Sequence, residues 1–415
     1  MNIDVLFLCS LSIIWVMLLY YMFLAQGGYL YAMKMEKGAD DLIRQVQSWP
    51  RVSILIPAHN EDVVIQATLE AMVHLDYPED QLEIIVINDK SKDKTGEIVD
   101  EFARKFPFVI PIHVTPEQGG KGKSGALNRG LKHSTGEYIV VYDADNTPER
   151  AALKNLVVGI LNEPQVGAVV GKFRVINGKR NSLTRFINIE TISFQWMAQA
   201  GRWKWFGIST IPGTNFLIRR SILEDLGGWD EDALAEDTEL SIRVYEKGYM
   251  IRFWPVAITW EQEPETWKVW YKQRTRWAQG NQYVIVKYMP KLFKMEKKRI
   301  QFDLIYFFIT YFLFLGGVMM SNFIFVLGLL DIAKITVPGP YLLLWLLAYV
   351  LFILEIMITL RIEKTELTLH NLLMVMLMYV TYAQFWIIIV IRATWMNALL
   401  KIKKQEAKWE KTQRF

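Results

Sequence analysis

Cysteine is almost absent from this chain, with Cys9 the only one in 415 residues. A single cysteine excludes an intrachain disulfide framework and a cysteine-based metal site. An excess of charge of one sign is also lacking, because 47 basic and 43 acidic side chains leave a formal net charge of +4. So small a positive charge gives no reason to expect binding to nucleic acid, and we predict no nucleic-acid partner.

Apolar residues are abundant instead, at 52% of the chain with 15 Trp and 17 Met. Several apolar runs reach the roughly 20 residues that a bilayer core requires. The run at 5–24 has neither a basic start nor a small-residue cleavage site, so it predicts an uncleaved signal anchor. Basic residues that follow it place the next domain in the cytoplasm under the positive-inside rule. The predicted spans are 5–24, 304–330, 341–360 and 372–391.

The basic end of the chain complicates this multi-pass arrangement in the cell membrane. Lys401, Lys403 and Lys404 begin a run of cations that also favours the cytoplasm. Three crossings from a cytoplasmic domain would place that end outside, so either one segment is re-entrant or interfacial, or the charge rule fails here. We predict an anchor at 1–30, a soluble domain at 51–265, an amphipathic interface region at 266–295, membrane helices at 303–392 and a basic tail at 393–415.

The soluble middle has the pattern of an α/β domain. Short apolar runs rich in β-branched residues alternate with helical stretches such as 61–75 and 95–106. This alternation predicts a mostly parallel sheet covered by helices on both faces. Ligands of such sheets bind beyond the carboxyl ends of the strands. The predicted strands are 52–57, 82–87, 138–143 and 166–171.

Two polar clusters follow the first two strands. PAHNE at 57–61 contains Glu61, and it also fits an ordinary strand-to-helix turn with Asn60 as the N-cap. NDKSKDKT at 88–95 contains Asp89, which could accept hydrogen bonds from a nucleobase or ribose, or cap the next helix. Each cluster alone leaves both interpretations open.

Two further clusters combine flexibility with charge. GGKGKSGALNRG at 119–130 could bring backbone amides and Lys123 to an anion, although it lacks the P-loop spacing and could be a solvated basic loop. YDADNTP at 142–148 places Asp143 and Asp145 two residues apart at a strand end. Such oxygen ligands suit Mg²⁺ or Mn²⁺ shared with a diphosphate, whereas a plain loop with a capping Asp is the alternative.

Two later segments add carboxylates and aromatic residues. AEDTEL at 235–240 places Glu236 and Asp237 at the start of a predicted helix, where the helix dipole favours an ionised base; an acidic cap is the alternative. WKVWYKQRTRWAQGN at 267–281 predicts a helix whose aromatic face suits a bilayer interface, and a membrane anchor alone is the alternative. Its adjoining edge carries Gln273, Arg276 and Trp277 and could face a ligand site.

Taken in order, Asp89, Asp143-Ala-Asp145, Glu236-Asp237 and Gln273-x-x-Arg276-Trp277 resemble the D, D-x-D, E-D and Q-x-x-R-W motifs of processive family 2 glycosyltransferases. That family includes the membrane synthases of cellulose, hyaluronan, chitin and poly-N-acetylglucosamine. The resemblance covers about residues 50–285 and implies a GT-A fold inserted between transmembrane helices. Asn88 and Ala235 depart from the residues that many members carry at those positions.

The resemblance implies a UDP-sugar donor and assigns its contacts. Glu61 and Asp89 would contact the uridine, while Lys123 and Asp143 would hold the nucleotide. Asp145 would bind the diphosphate through Mg²⁺ or Mn²⁺.

The resemblance also assigns the acceptor side. Asp237 would be the general base, and Arg276 would neutralise the diphosphate. Glu236, Gln273 and Trp277 would contact the acceptor, which is a growing polysaccharide. The implied activity is an inverting, processive β-transfer, with UDP-N-acetylglucosamine as the best guess for the donor and export of the product across the membrane.

The implied partners are the donor, the polymer, membrane lipids and a small accessory membrane subunit. Two competing hypotheses remain. One is the addition of a single sugar to a membrane lipid. The other is an inactive scaffold for an export complex, which the intact set of carboxylates disfavours.

Overall fold

The computed structural model describes residues 3–35, 39–115, 121–294, 298–332 and 334–403. Two parts of the segments singled out above lie outside these ranges: the start of the glycine-rich loop before Lys121, and the basic tail beyond Lys403. The domain between the membrane helices is built on one eight-stranded sheet.

The sheet runs in the order β3-β2-β1-β4-β7-β6-β8-β5. Strands β3, β2, β1 and β4 are parallel, β7 is antiparallel to both of its neighbours, and β6 is again parallel to β8. The predicted mostly parallel sheet is therefore confirmed, with two reversed strands: β7 inside the sheet and β5, which pairs antiparallel with β8 at its edge. The strands are β1 Val52–Ala58, β2 Leu82–Asp89, β3 Val109–Val114, β4 Tyr138–Val141, β5 Thr147–Pro148, β6 Val166–Val175, β7 Phe216–Arg219 and β8 Met250–Glu261.

Helices cover both faces of the sheet, as its apolar strands require. In β1, Ile54 and Ile56 face one core while Leu55 between them faces the other, and all three are fully buried. Full burial of each such side chain contributes about 1.5–3 kcal/mol. The helices of this domain are α2 Ala39–Gln45, α3 Ile65–Val73, α4 Thr95–Lys105, α5 Gly122–His133, α6 Ala152–Val158, α7 Ser182–Ser193, α8 Arg202–Phe206, α9 Arg220–Asp225, α10 Glu236–Glu246 and α11 Trp267–Tyr288.

Within the described ranges, four helical segments are long and apolar enough to cross a membrane. They are α1 Ile3–Met35; α12 Lys298–Phe308, which continues through a π-helical turn into α13 Leu315–Leu329; α14 Tyr341–Ile362; and α16 Tyr382–Lys403. The predicted fourth span at 372–391 is wrong, because the helix is interrupted at Thr381. Its first part is the short helix α15 Leu369–Val380, and the span is α16.

A buried charge cluster fastens the sheet to the membrane helices. Glu363 follows α14 directly and accepts hydrogen bonds from Lys172 at 2.6 Å, Arg174 at 2.7 Å and the indole Nε1 of Trp196 at 3.0 Å. Because the two cations lie on β6, the carboxyl half of that strand is tied to the end of α14. An unpaired carboxylate at this depth would be costly, and three donors satisfy it.

Helix α11 packs against α16 along its aromatic side. Trp270 is 1% exposed, and its Nε1 donates to the Tyr382 hydroxyl at 2.9 Å. The ring centroids of Trp267 and Phe385 lie 5.2 Å apart. The prediction that this side of the helix faces lipid is therefore wrong for Trp270, because a membrane helix of the same chain covers it.

Candidate active site

The first part of the site lies at the carboxyl ends of β1 and β2. Glu61 is buried just beyond β1, and its backbone N–H donates to Thr95 Oγ1 at 2.8 Å. Asp89 ends β2, and its carbonyl oxygen lies 2.5 Å from Nδ1 of His59. The two strand ends are therefore held side by side, as the sheet topology predicts.

Asn60 does not cap the helix that follows β1. That helix begins at Ile65 after Val64, whereas Asn60 is left-handed at φ 54°. Its Oδ1 accepts the backbone N–H of Lys92 at 2.7 Å, so the side chain joins the two loops. The capping alternative for PAHNE is thereby excluded.

The centre of the site is a cation enclosed by carboxylates. Nζ of Lys123 lies 2.6 Å from Asp143 and 3.7 Å from Glu236, and it donates to the carbonyl oxygen of Gly213 at 2.8 Å. Burial alone would favour the neutral amine, but Asp143 and then Glu236 outweigh it and raise the pKa of Lys123 above its ordinary value. Lys123 is thus a fixed positive charge between the segment after β4 and the start of α10.

The Asp143-Ala-Asp145 turn is rigid and presents oxygen ligands. The backbone N–H of Asp143 donates to Asn146 Oδ1 at 3.0 Å and to Thr214 Oγ1 at 3.1 Å. Asp145 is 7% exposed. No group of three or more potential metal-ligating side chains occurs in the described part of the chain. Asp143 already pairs with Lys123, and the oxygen atoms of both carboxylates are ligands of the kind that hard cations prefer.

Asp237 lies in the first turn of α10, beside Glu236. Its Oδ1 accepts the backbone N–H of Thr238 at 2.7 Å. Burial, reinforced by the adjacent Glu236, raises the pKa of Asp237 to about 7, although Lys123 acts in the opposite direction. At neutral pH Asp237 is therefore only partly ionised, because desolvation outweighs the helix terminus that was expected to favour the carboxylate. A pKa near the working pH suits a general base.

This pKa predicts the pH dependence of catalysis. Asp237 must be deprotonated to accept a proton, so we expect kcat/KM to rise with pH through about 7 and then level off. Below that range the rate should fall about tenfold per pH unit. Initial rates of UDP release between about pH 5.5 and 8.5 test this. A flat profile across that range would rule out Asp237 as the group that titrates.

Gly213 closes the site between Lys123 and Asp237. Its φ is +85°, and a Cβ at this position would lie 2.9 Å from Asp237 Oδ2 and 3.5 Å from Lys123 Nζ. Only glycine fits both the left-handed backbone and the close approach of the carboxylate. Gly213 therefore limits the space beside the carboxylate of the predicted base.

We expect Gly213→Ala to reduce transfer about tenfold or more, because the new methyl group displaces Asp237. The matched control is Gly227→Ala, since Gly227 has φ +76° and nothing within 4 Å of its hypothetical Cβ. Both changes strain the backbone, but only the first touches the site. Equal losses of activity in the two variants would attribute the effect to strain alone.

Helix α11 touches the start of α10 through residues that follow the Gln273-x-x-Arg276-Trp277 motif. A Cβ on Gly280 would lie 2.7 Å from Ala235 Cβ, so the helix touches the chain just before the carboxylate pair. Thr238 Oγ1 donates to Asn281 Oδ1 at 3.0 Å across the same contact. Of the motif residues, Gln273 is buried and Arg276 half-buried, while Trp277 is 42% exposed.

Sequence reasoning assigned no role to several residues that shape the site. Gly213, Thr214 and Asn146 hold the base and the Asp143 turn by backbone conformation and local hydrogen bonds. Arg274 lies inside the Q-x-x-R-W motif but is 1% exposed, with its cation enclosed by acidic side chains. Its position among aromatic residues on a predicted helix was the available signal, but the acidic partners are distant in sequence.

Together, the sheet and the site define a GT-A-type glycosyltransferase. The domain has a mostly parallel sheet, a carboxylate pair after the central strand β4, and a buried cation beside a carboxylate suited to proton transfer.

Comparisons with known proteins agree with this class. The model of the family described as "Glycosyltransferase like family 2" matches residues 50–280, and the chain belongs to this family. The probable glycosyltransferase YdaM of Bacillus subtilis is 59% identical over 99% of this chain and 98% of its own length. The poly-beta-1,6-N-acetyl-D-glucosamine synthase of Staphylococcus epidermidis is 34% identical over 59% of this chain, a match that spans 58% of that relative.

A solved structure shares the fold. The mannosyltransferase PcManGT from Pyrobaculum calidifontis, in complex with GDP-Man and Mn²⁺, superposes with a TM-score of 0.61. It is 22% identical and covers 94% of this chain and 99% of its own. The predicted GT-A fold and glycosyltransferase class are confirmed.

Proposed function

We propose that the protein is an inverting, processive β-glycosyltransferase that polymerises a UDP-activated hexose, with UDP-N-acetylglucosamine as the first donor to test. The observation that carries this proposal is the cluster of Lys123, Asp143, Glu236 and Asp237, in which a fixed cation lies next to a carboxylate of pKa about 7. The choice of sugar is supported by the printed name of the staphylococcal relatives at 30–34% identity.

The reaction is a single displacement. Asp237 takes the proton of the acceptor hydroxyl as its oxygen attacks the anomeric carbon on the face opposite UDP. A C–O bond forms, the bond from that carbon to the diphosphate oxygen breaks, and the configuration inverts. Lys123 offsets the charge that develops on the leaving UDP, in a buried place where a fixed cation is most effective.

Other residues have binding roles in this proposal. Glu61 and Asp89 contact the uridine at the ends of β1 and β2. Asp145, with Asp143, would hold Mg²⁺ or Mn²⁺, which supplies further charge neutralisation to the diphosphate when bound. Arg276 adds a planar cation on the side of α11.

The acceptor would lie against α11. Trp277 is exposed and would provide a flat apolar surface for a terminal sugar, and Gln273 and Glu236 would supply polar contacts to the acceptor. In this arrangement the acceptor hydroxyl approaches Asp237 from the side where α11 touches Ala235.

Passage of the product across the membrane is supported by polar groups inside the spans. Glu355 is 3% exposed within α14, and Tyr20 on α1 packs on Tyr306 at 5.9 Å between ring centroids. Intramembrane ionisable groups that face the bundle interior commonly mark a substrate path. The basic residues after the first span support a cytoplasmic catalytic domain in a multi-pass protein.

The deciding experiment offers a panel of UDP-sugars to the protein in native membranes with Mg²⁺ or Mn²⁺. UDP release and product size are measured together. One active donor with a high-mass, glycosidase-sensitive product supports the proposal. One active donor with only a lipid-sized product supports single addition to a lipid, and export must then be given up. No UDP release with any donor supports the scaffold hypothesis.

Removal of divalent cations should abolish transfer. Asp143 and Asp145 are carboxylates that can bind a cation. The diphosphate is negative as well, so a divalent cation is needed to neutralise its charge. We expect excess chelator to stop UDP release and added Mn²⁺ to restore it. Full turnover in excess chelator would remove Asp145 from a metal-binding role.

A further inference from the structure

Arg274 is a buried cation in the middle of the Q-x-x-R-W motif. Its Nη2 lies 2.9 Å from Glu190 and 3.7 Å from Glu263, and its Nη1 donates to Gln273 Oε1 at 2.6 Å. The guanidinium plane is therefore fixed on three sides. A planar fork held in this way is pre-organised, unlike a lysine ammonium.

The guanidinium supports the exposed tryptophan. The Cζ atom of Arg274 lies 4.0 Å from the ring centroid of Trp277, which is a close cation–π contact. Arg274 is 1% exposed and Trp277 is 42% exposed. One side of the indole thus rests on a buried, immobile charge while the residue remains accessible to a ligand.

Glu190 connects this pair to the last membrane helix. On α7, it accepts Arg274 Nε at 3.2 Å and Nη2 at 2.9 Å. It also accepts the Tyr382 hydroxyl at 2.8 Å and the Trp386 Nε1 at 2.9 Å, both from α16. The carboxylate is saturated by donors from two helices, so its position depends on α11 and α16 together.

We propose that Glu190 is a positioning residue for transfer, which holds the Arg274 guanidinium beneath Trp277 and ties this acceptor surface to α16. The inference rests on the proposed contact of Trp277 with the acceptor sugar. Neither Glu190 nor Arg274 touches the reacting atoms in this arrangement. Their effect is on the orientation of the indole.

The geometry favours positioning over simple stabilisation. A carboxylate that served only to neutralise Arg274 would need no further donors, yet Glu190 takes two from a membrane helix. Removing its charge leaves Arg274 buried beside Glu263 alone, with Tyr382 and Trp386 lacking a charged acceptor. The guanidinium then loses the strongest of the three contacts that fix its plane, the one made through both Nε and Nη2, and the support of the indole is weakened.

A double-mutant cycle tests the proposal. Wild type, Glu190→Gln, Trp277→Ala and the double variant are compared in native membranes with the UDP-sugar that the donor panel identifies. Two quantities are measured: the donor KM, and the sugar transferred to product per UDP released. The second is defined for a polymer and for a glycolipid alike. We expect Glu190→Gln to lower transfer per UDP about tenfold and to change the donor KM less than about twofold.

Coupling is the decisive result. In the Trp277→Ala background, Glu190→Gln should cause no further loss beyond about twofold, because the indole that it positions is gone. The matched control is Glu366→Gln, since Glu366 also joins α7 to the membrane region, through Asn188 at 3.1 Å and Asn371 at 3.0 Å. That variant should retain the wild-type ratio of transfer to UDP release.

Each contrary outcome identifies its own failure. Full additivity, with Trp277→Ala itself impaired, overturns the positioning role and leaves the proposed function intact. A wild-type ratio in Trp277→Ala removes Trp277 from the acceptor and overturns both the proposed contact and this inference. If Glu190→Gln does not accumulate, Arg274→Lys enters the same cycle, because it keeps the charge and loses the planar support.

Discussion

Asp237→Asn abolishes sugar transfer, with an expected fall in kcat of about 10³-fold, while UDP still binds. The amide keeps the size of the carboxylate and can still accept the Thr238 N–H, so the local structure is preserved. It cannot take a proton from the acceptor hydroxyl. Initial rates with the active donor and a UDP binding isotherm measure the two effects separately.

The neighbouring carboxylate provides the control for this result. Glu236 raises the pKa of Asp237, so Glu236→Gln should keep a functional base and shift the pH profile of transfer to lower pH. The pH profile of the residual transfer by Asp237→Asn should instead show no rise near neutrality. A loss of UDP affinity of about tenfold in Asp237→Asn, or roughly 1.4 kcal/mol, would contradict a role confined to proton transfer.

Four strands of the sheet, β1, β2, β4 and β6, were predictable because they are short apolar runs that end in polar turns. The predicted starts at 52, 82, 138 and 166 agree with β1, β2, β4 and β6. Strands β3, β5, β7 and β8 were missed. VIPIHV contains proline and histidine, FLIR has only four residues, and MIRFWPVAITWE interrupts its apolar pattern with Arg252 and Pro255. Pairing with neighbouring strands selects these segments, and that information is not local.

The same limit applies to the site. Motif order indicated Lys123, Asp143, Glu236 and Asp237, and the fold brings these four together. The protonation of Asp237 could not be predicted, because it depends on burial and on partners from other elements. The interruption of the helix at Thr381 could not be predicted either, since the sequence stays hydrophobic on both sides of it. Tyr382 begins the new helix there and reaches Glu190, 192 residues earlier in the chain.

Lys123→Gln is expected to lower kcat/KM about 10²–10³-fold, because it removes the cation that pairs with Asp143 and Glu236 at the centre of the site and would face the predicted diphosphate. The donor should also bind more weakly. Lys121→Gln is the matched control, since Lys121 is exposed and pairs with Glu231 and Asp232, both at 3.6 Å. That variant should retain nearly full activity.

The pH profile separates a catalytic role of Lys123 from a structural one. Lys123 lowers the pKa of Asp237, so its loss raises that pKa and moves the rise in residual activity to higher pH. This shift is opposite in direction to the one expected for Glu236→Gln. A merely unstable variant would lose activity at every pH and keep the wild-type midpoint. Unchanged donor affinity together with an unshifted midpoint in Lys123→Gln would show that the cation serves neither the diphosphate nor the base.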